Sequence, residues 1–495
     1  LLVRWGGPAV RGVDAQLPHP DLPATGQIQR EAVVAGAEGA QRILLVEDPF
    51  GLIHQQTADT LPPADSAEEV RPPVILLQTT HAWRRTCLMR TAHIPAGYTY
   101  LGQLLGHDIG SSVPQSTVPH VTRGNAIGAV SILGTSRYNL IDNPLTLETI
   151  YGPGPLMLSH LYDPDTLLFR LTPRARLARL YRRRSDSLAD SDSQPIRALY
   201  DERNRDTLML HELAVAWMQF HNLCARQLME QRVTPLDAYV ITRAHAVHVW
   251  HGIIRGDILP RFLHPRIAAM ADHDLPPEWR LDEATLLHGL FRAFHALPLA
   301  SYHLGRDGPH NLSELLKSGF EVSEAEATWR IDWPRFFGKK PGGPMTGISA
   351  SVAPELRAPV TAAAVIAKDH ETGIKTETLR AGNRAIRAAI ARLPDDWRDR
   401  LAPAAMAAEF QARHPDSPAE LDAKALEWGP LFQMLMVEAQ LYGHDGGLGP
   451  LGSALLRASV AGSMDRIVPK DESPDASDLP RPATMLDLIE LTRKA

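Results

Sequence analysis

Three short stretches carry residues whose types and spacing could do chemistry. In Tyr98-Thr-Tyr-Leu-Gly-Gln-Leu-Leu-Gly-His-Asp108, Gln103 and His107 stand four apart, so on a helix they project from one face a turn apart. The flanking Leu101, Leu104 and Leu105 turn that face inward. A His and Gln so placed are either a satisfied core pair or a proton-handling pair in a pocket. Asp201-Glu-Arg-Asn-Arg-Asp206 is a dense charged cluster ahead of a long apolar stretch; by itself it places acids at the positive end of a helix dipole. His295 closes Phe291-Arg-Ala-Phe-His-Ala-Leu-Pro298, where a neutral imidazole can ligate a metal or meet a backbone carbonyl. The chain has 21 histidines, so a lone one carries little information. His245, His248 and His251, each three apart, lack a carboxylate at a matching turn and read as a polar stripe rather than a metal site.

Helices must position these groups. From Thr207 to Glu230, Leu210, Leu213, Trp217, Phe220, Leu223, Cys224 and Leu228 recur at spacings of three and four, which predicts an amphipathic helix. A second helix is predicted from about Leu236 to Ile258, with Val240, Ala244, Val247 and Ile254 inward and an end before Pro260. A third covers about Glu283 to Leu297, and others 377–393, 403–414 and 431–442. Alternating strand patterns are scarce outside the first 80 residues, so the chain reads as mostly α with long irregular connections. Residues 181–198 read as an exposed charged loop, and 469–482 as a Pro/Asp/Ser connector.

With 495 residues, 44% hydrophobic and 22% charged, the chain can bury a large core. Lys and Arg number 51 against 57 Asp and Glu, for a net charge of −6; no basic excess offers a nucleic-acid surface. Apolar runs such as Ala362 to Ala367 fall far short of the roughly 20 residues of a membrane span. Cys87 and Cys224 are the two cysteines and exclude a disulfide framework. The chain opens Leu-Leu-Val-Arg without an initiator Met, which leaves its compartment open.

Taken in order, the motifs resemble one family. His93-Ile-Pro-Ala-Gly-Tyr-Thr-Tyr-Leu-Gly-Gln-Leu-Leu-Gly-His-Asp-Ile109 looks like the distal-histidine motif of the animal-type haem peroxidases, the peroxidase–cyclooxygenase superfamily, in its bacterial form. Ile150-Tyr-Gly152, Leu161-Tyr-Asp163, Asp201-Glu-Arg-Asn-Arg-Asp206 and Phe220-His-Asn222 are similar to the same family in the same order. So are Val249 to Arg261, the segment ending at His295, and Pro430 to Gly452 with Glu438. The resemblance covers about residues 90 to 465. It implies a catalytic body over 81–468, with an N-terminal extension at 1–80 and a C-terminal connector and short helix at 469–495.

The resemblance further implies a mostly α-helical fold around a buried haem b, with His295 as proximal iron ligand and His107 on the distal side. His107 would act as base and then acid toward hydrogen peroxide. Arg203, eighteen residues before His221, would stabilise charge on the departing oxygen, and Gln103 would orient peroxide. Arg292 takes the position three before the proximal His as in the peroxidase branch, where the fatty-acid dioxygenases place a radical tyrosine. Asn383 is the candidate partner for the second N–H of His295. Gly106 and Asp206 stand where relatives such as myeloperoxidase esterify haem, and Thr207 where they carry a Met, so at most one ester link, through Asp206, is available. Because such links raise oxidising power, chloride oxidation is expected to be weak or absent. Asp108, with Asp142, Thr146 and Glu148, could gather a calcium ion or form a capping cluster without one. The implied activity is oxidation of a small organic donor by hydrogen peroxide. The alternatives are a fatty-acid haem dioxygenase and a non-catalytic haem-binding protein that kept the fold.

Overall fold

The computed structural model describes residues 93–114, 126–127, 137–172, 178, 180–182, 195–305, 308–316, 329–350, 379–415, 423–465 and 476–494. It also describes three strands near the N-terminus. These are β1 (Gln29–Gly36), β2 (Gly39–Glu47) and β3 (Ile53–Thr57), an antiparallel meander in the order β1-β2-β3. Its first turn is tight, with Gly36 opposite Gly39. Elsewhere the sheet is confined to pairs and triplets of two- and three-residue strands, and the body is helical.

Helix α1 (Gly97–Ile109) buries Leu101, Leu104 and Leu105 completely and leaves Gln103 and His107 half-buried on another face. Helix α2 (Leu208–Glu230) starts where the pattern predicts, because the Thr207 hydroxyl accepts the Leu210 N–H at 3.2 Å and supplies an N-cap. Its predicted apolar stripe is buried apart from Leu223, but so are His211, Glu212, His221 and Asn222. The helix runs through the centre of the protein, so its polar side chains need partners inside.

Helix α3 (Pro235–Ile253) departs from the predicted stripe. Val240 is 57% exposed and Ala244 is exposed, while Tyr239, Thr242, His245, Ala246, Val249, Trp250 and Ile253 face inward. Large rings decide the rotation: Tyr239 packs on Tyr151 and Tyr162, and Trp250 on Trp217 at 5.5 Å, burying more area than two small aliphatic residues could. Nor does the helical path end before Pro260. A π turn at Ile254–Ile258 leads into a short α turn at Leu259–Phe262, which puts Pro260 in a first turn where a missing N–H costs nothing. His245 binds the Pro480 carbonyl at 3.0 Å and His251 that of Leu145 at 2.9 Å. Two histidines of the stripe thus have separate structural partners.

The predicted third helix is irregular. After Glu283 and Ala284 it widens into a π turn at Thr285–Leu290, then tightens into a 3₁₀ segment at Phe291–Ala296, a pattern that often marks a functional segment. Helix α4 is Arg384–Ala391 rather than 377–393, because Asn383 accepts the Ile386 N–H at 2.7 Å and caps it. Helices α5 (Pro403–Arg413) and α6 (Leu431–Tyr442) agree with expectation, and α7 (Pro450–Asp465) follows. The ends of the predicted charged loop pair as strands, Leu180–Arg182 with Pro195–Arg197. Residues 183–194, Ala362 to Ala367 and Cys87 lie outside the described residues. Cys224 is a buried free thiol. Among the described residues no helix is long and apolar enough to cross a membrane.

Two carboxylates tie later helices to the body. Asp257 accepts from Tyr98 Oη at 2.5 Å and from the Met485 N–H at 3.0 Å, joining α1 to the start of α8 (Met485–Thr492). Glu438 on α6 accepts the Leu451 and Gly452 N–H groups at the start of α7, at 2.5 and 3.0 Å. Burial pushes its carboxyl up to about 7 despite both donors. Glu438→Ala leaves those N–H groups unmatched, so a loss of about 1–3 kcal/mol is expected, read as a lower thermal midpoint. Glu438→Gln, which keeps an acceptor, should recover part of it.

Candidate active site

The distal half is built from α1, the turn before α2, and the segment Asn139–Tyr151. His107 Nδ1 lies 2.9 Å from Asn204 Oδ1. The Asn204 amide cannot be reversed without loss, because its Nδ2 donates to the Thr149 carbonyl at 3.2 Å and to Thr149 Oγ1 at 3.0 Å. Thr149 Oγ1 in turn donates to Asp201 at 2.8 Å. With an acceptor facing Nδ1, that nitrogen carries the proton and Nε2 presents a lone pair. Burial first, then the charge of Arg203, pushes His107 down to about 4, against Asp201 and the Asn204 hydrogen bond. The imidazole is therefore neutral at ordinary pH. Gln103, one turn earlier, points Nε2 at Asp206 Oδ2 at 3.5 Å, a long contact that brings two sequence-predicted residues together.

Arg203 is a clamp. Nε and Nη2 grip Asp201 at 3.0 and 2.6 Å, Nη2 also donates to the His107 carbonyl at 3.0 Å, and Nη1 donates to the Gly110 carbonyl at 2.7 Å. These bonds satisfy carbonyls at the end of α1 that have no partner within the helix. Burial alone would raise Asp201, yet the charge and hydrogen bonds of Arg203 hold it below the usual carboxylate range. Arg203→Gln removes a cation beside His107, which raises the His107 pKa. The acid limb of any reaction that needs neutral His107 is then expected to move up from about pH 4, read from a pH–rate profile.

The second half is the 3₁₀ segment that carries His295. Burial, followed by the Arg292 charge, pushes its imidazole down to about 3, against the opposing influence of the Arg292 and Phe291 backbone. A neutral imidazole keeps a lone pair on one ring nitrogen, the state a metal ligand requires. Asn383 accepts the Ile386 N–H with its amide oxygen as the cap of α4. Arg292 is the unusual group. Burial lowers its pKa, and no carboxylate or hydrogen-bond partner stands against it among the described residues. A desolvated guanidinium left unpaired is costly, and a bound anion would remove that cost.

The two halves meet directly. A Cβ on Gly106 would lie 3.3 Å from the Phe291 ring, so Phe291 fills the space next to the position where esterifying relatives carry an Asp. Gln103, Gly106, His107, Asp206, Arg292 and His295 all keep accessible surface, although burial leads the pKa shifts of His107, Arg292 and His295.

The residues named for calcium take part in a hydrogen-bonded turn. Asp108 accepts the Leu147 N–H at 2.9 Å, the Thr149 N–H at 3.3 Å and the Trp250 indole N–H at 2.9 Å. Burial pushes its carboxyl up to about 7. Glu148 accepts from the main chain of Asp142 and Asn143 at 3.2 and 2.8 Å, and Thr146 donates to the Asn143 carbonyl at 2.7 Å. These oxygens order a turn, and among the described residues no three His, Cys, Asp or Glu side chains could hold a metal ion. What the sequence reading missed is Asn204, with Thr149 and Asp201 behind it. The only signal was an Asn inside a charged cluster, and its partner lies 97 positions away.

No protein-family model and no curated protein sequence matches the chain. Among solved structures, Peroxidase A from Dictyostelium discoideum (DdPoxA) superposes with a TM-score of 0.58 at 12% identity, over 86% of this chain and 89% of that one. The fatty acid alpha-dioxygenase of Oryza sativa gives 0.48 at 10% identity, over 82% and 73% of the two chains. That of Arabidopsis thaliana gives 0.49 at 11%, over 81% and 69%. The chain therefore shares the mostly α-helical fold of Dictyostelium Peroxidase A, in line with the mostly α reading of the sequence.

Proposed function

We propose that this chain is a haem-dependent peroxidase that uses hydrogen peroxide to oxidise a small organic donor. The observation that carries the reading is a pair of neutral imidazoles, His107 with Nδ1 committed to Asn204 and His295 in the 3₁₀ segment, together with an Arg292 guanidinium that has no partner among the described residues. That donor set fits haem b: His295 would supply a nitrogen to hold the iron, and Arg292 would pair with a carboxylate of the group. The fold shared with Peroxidase A supports the same reading. Bound haem supplies a redox-active iron that accepts the oxidising equivalents of peroxide.

The protein's own contribution is proton handling and order. His107 Nε2 takes a proton from entering peroxide and returns it to the departing oxygen, and Asn204 holds the tautomer that makes this possible. Gln103, steadied by Asp206, orients peroxide beside it. Arg203 positions His107 through the end of α1, and its charge stabilises the departing oxygen. Arg292, where fatty-acid dioxygenases carry a tyrosine, favours peroxide over lipid oxygenation.

The test is the optical spectrum of hemin-reconstituted protein before and after one equivalent of peroxide. A Soret band that shifts with peroxide and recovers with a phenolic donor is expected. Oxygen uptake with a fatty acid and no peroxide would replace the reading by a dioxygenase, and a Soret band indifferent to peroxide would leave a haem-binding protein without this activity.

A further inference from the structure

Two motifs of the sequence play no part in that site: Ile150-Tyr-Gly152 and Phe220-His-Asn222. Asn222 has a structural task, since its amide accepts from Phe169 N at 2.8 Å and donates to Phe169 O at 2.9 Å. His221 does something else. It is fully buried, its Nδ1 lies 3.2 Å from Tyr151 Oη, and its Nε2 has no partner among the described residues. Further phenols surround the pair: ring centroids are 6.2 Å apart for Tyr151 and Tyr239, 5.8 Å for Tyr162 and Tyr239, and 5.3 Å for His221 and Tyr239.

The cluster has an inner and an outer end. Inside, Tyr151 is two residues beyond Thr149, which holds Asn204, which holds His107. Outside, Tyr239 Oη lies 3.2 Å from the Cβ position of Gly154, in a turn whose Leu156 and Met157 are 97% and 74% exposed. Leu236 and Val240, at 61% and 57%, flank Tyr239 on α3.

Burial holds Tyr151 well above the ordinary phenol range, so it cannot shed its proton unaided. Burial, then the charge of Arg243, pushes His221 down to about 3, which keeps the imidazole neutral and able to accept. Arg243 stands 5.2 Å from the Tyr151 ring; its charge opposes a lasting imidazolium and favours return of the proton.

We propose that Tyr151 is a redox-active tyrosine, with His221 as its proton acceptor and Tyr162 and Tyr239 as the relay to the apolar Gly154–Met157 surface. The inference rests on the peroxidase reading, because the oxidant is peroxide-oxidised haem. One electron leaves the Tyr151 phenol for the oxidised cofactor, the O–H bond breaks, and the proton passes to His221 Nδ1. An electron arriving through Tyr239 from an external donor restores the phenol as the proton returns. A donor too large for the site could then be oxidised at the surface.

The experiment is freeze-quench electron paramagnetic resonance of haem-loaded protein after one equivalent of peroxide, with the optical change followed in parallel. Wild type is expected to give a tyrosyl signal. Tyr151→Phe should lose it with the optical change intact, and His221→Phe should lose it with Tyr151 in place. Difluorotyrosine incorporated at position 151, which keeps the shape, should alter the hyperfine pattern even if the other variants fold poorly. A normal optical change with no tyrosyl signal, or with a signal untouched at position 151, overturns the relay alone. No optical change overturns the peroxidase reading and the relay with it.

Discussion

His295→Ala is expected to abolish haem retention: protein mixed with hemin and passed through a sizing column should emerge without the Soret band of wild type. The prediction follows from His295 being a neutral imidazole, pushed down to about 3 by burial and the Arg292 charge, with a lone pair available to a metal. Alanine removes that ligand. Added imidazole should restore part of the Soret band by occupying the vacated space. A variant that holds haem with an unchanged spectrum would remove His295 from the proximal position and the proposed activity with it.

His107→Ala should instead keep haem and slow the reaction with peroxide by roughly 10²–10⁴-fold, the range for general acid–base catalysis, which is about 3–5 kcal/mol of barrier. The pH dependence gives the sign. His107 works as a base only when neutral, and its environment pushes it down to about 4. The wild-type rate should therefore hold from neutral pH down to about 4 and fall below it, whereas the alanine variant should show no such limb. Stopped-flow measurement across that range checks both, and unchanged kinetics in His107→Ala would sink the mechanism.

The elements around the site were legible to different degrees. The Gln103/His107 pair on α1, the start of α2 at Thr207, and helices α5 and α6 follow from spacing and capping, which are local properties of the chain. The face of α3 was misread because two small aliphatic residues completed a periodic stripe, and the docking of Tyr239 and Trp250 against rings far away in sequence overrode it. The turns that present His295 were read as one regular helix, since no local rule announces a π turn followed by a 3₁₀ turn. The turn around Asp108 stayed open between a calcium site and a capping cluster for a related reason. Oxygen-rich side chains at suitable spacing look alike whether they face a cation or backbone N–H groups, and only the fold shows Asp108 already holding Leu147, Thr149 and Trp250.

The sequence by itself determined the helical class and which residue types could act: a His with a Gln one turn before it, an Arg in a charged cluster, and a His closing an apolar segment. Each is fixed by composition and short-range spacing. Only the tertiary structure decided their states. Asn204 sets the tautomer of His107 across 97 positions, Asp201 and two carbonyls hold most of Arg203, and burial lowers the pKa of Arg292. Protonation and hydrogen-bond roles depend on what surrounds a group within a few ångströms, and in this fold those surroundings come from chain segments a hundred residues away.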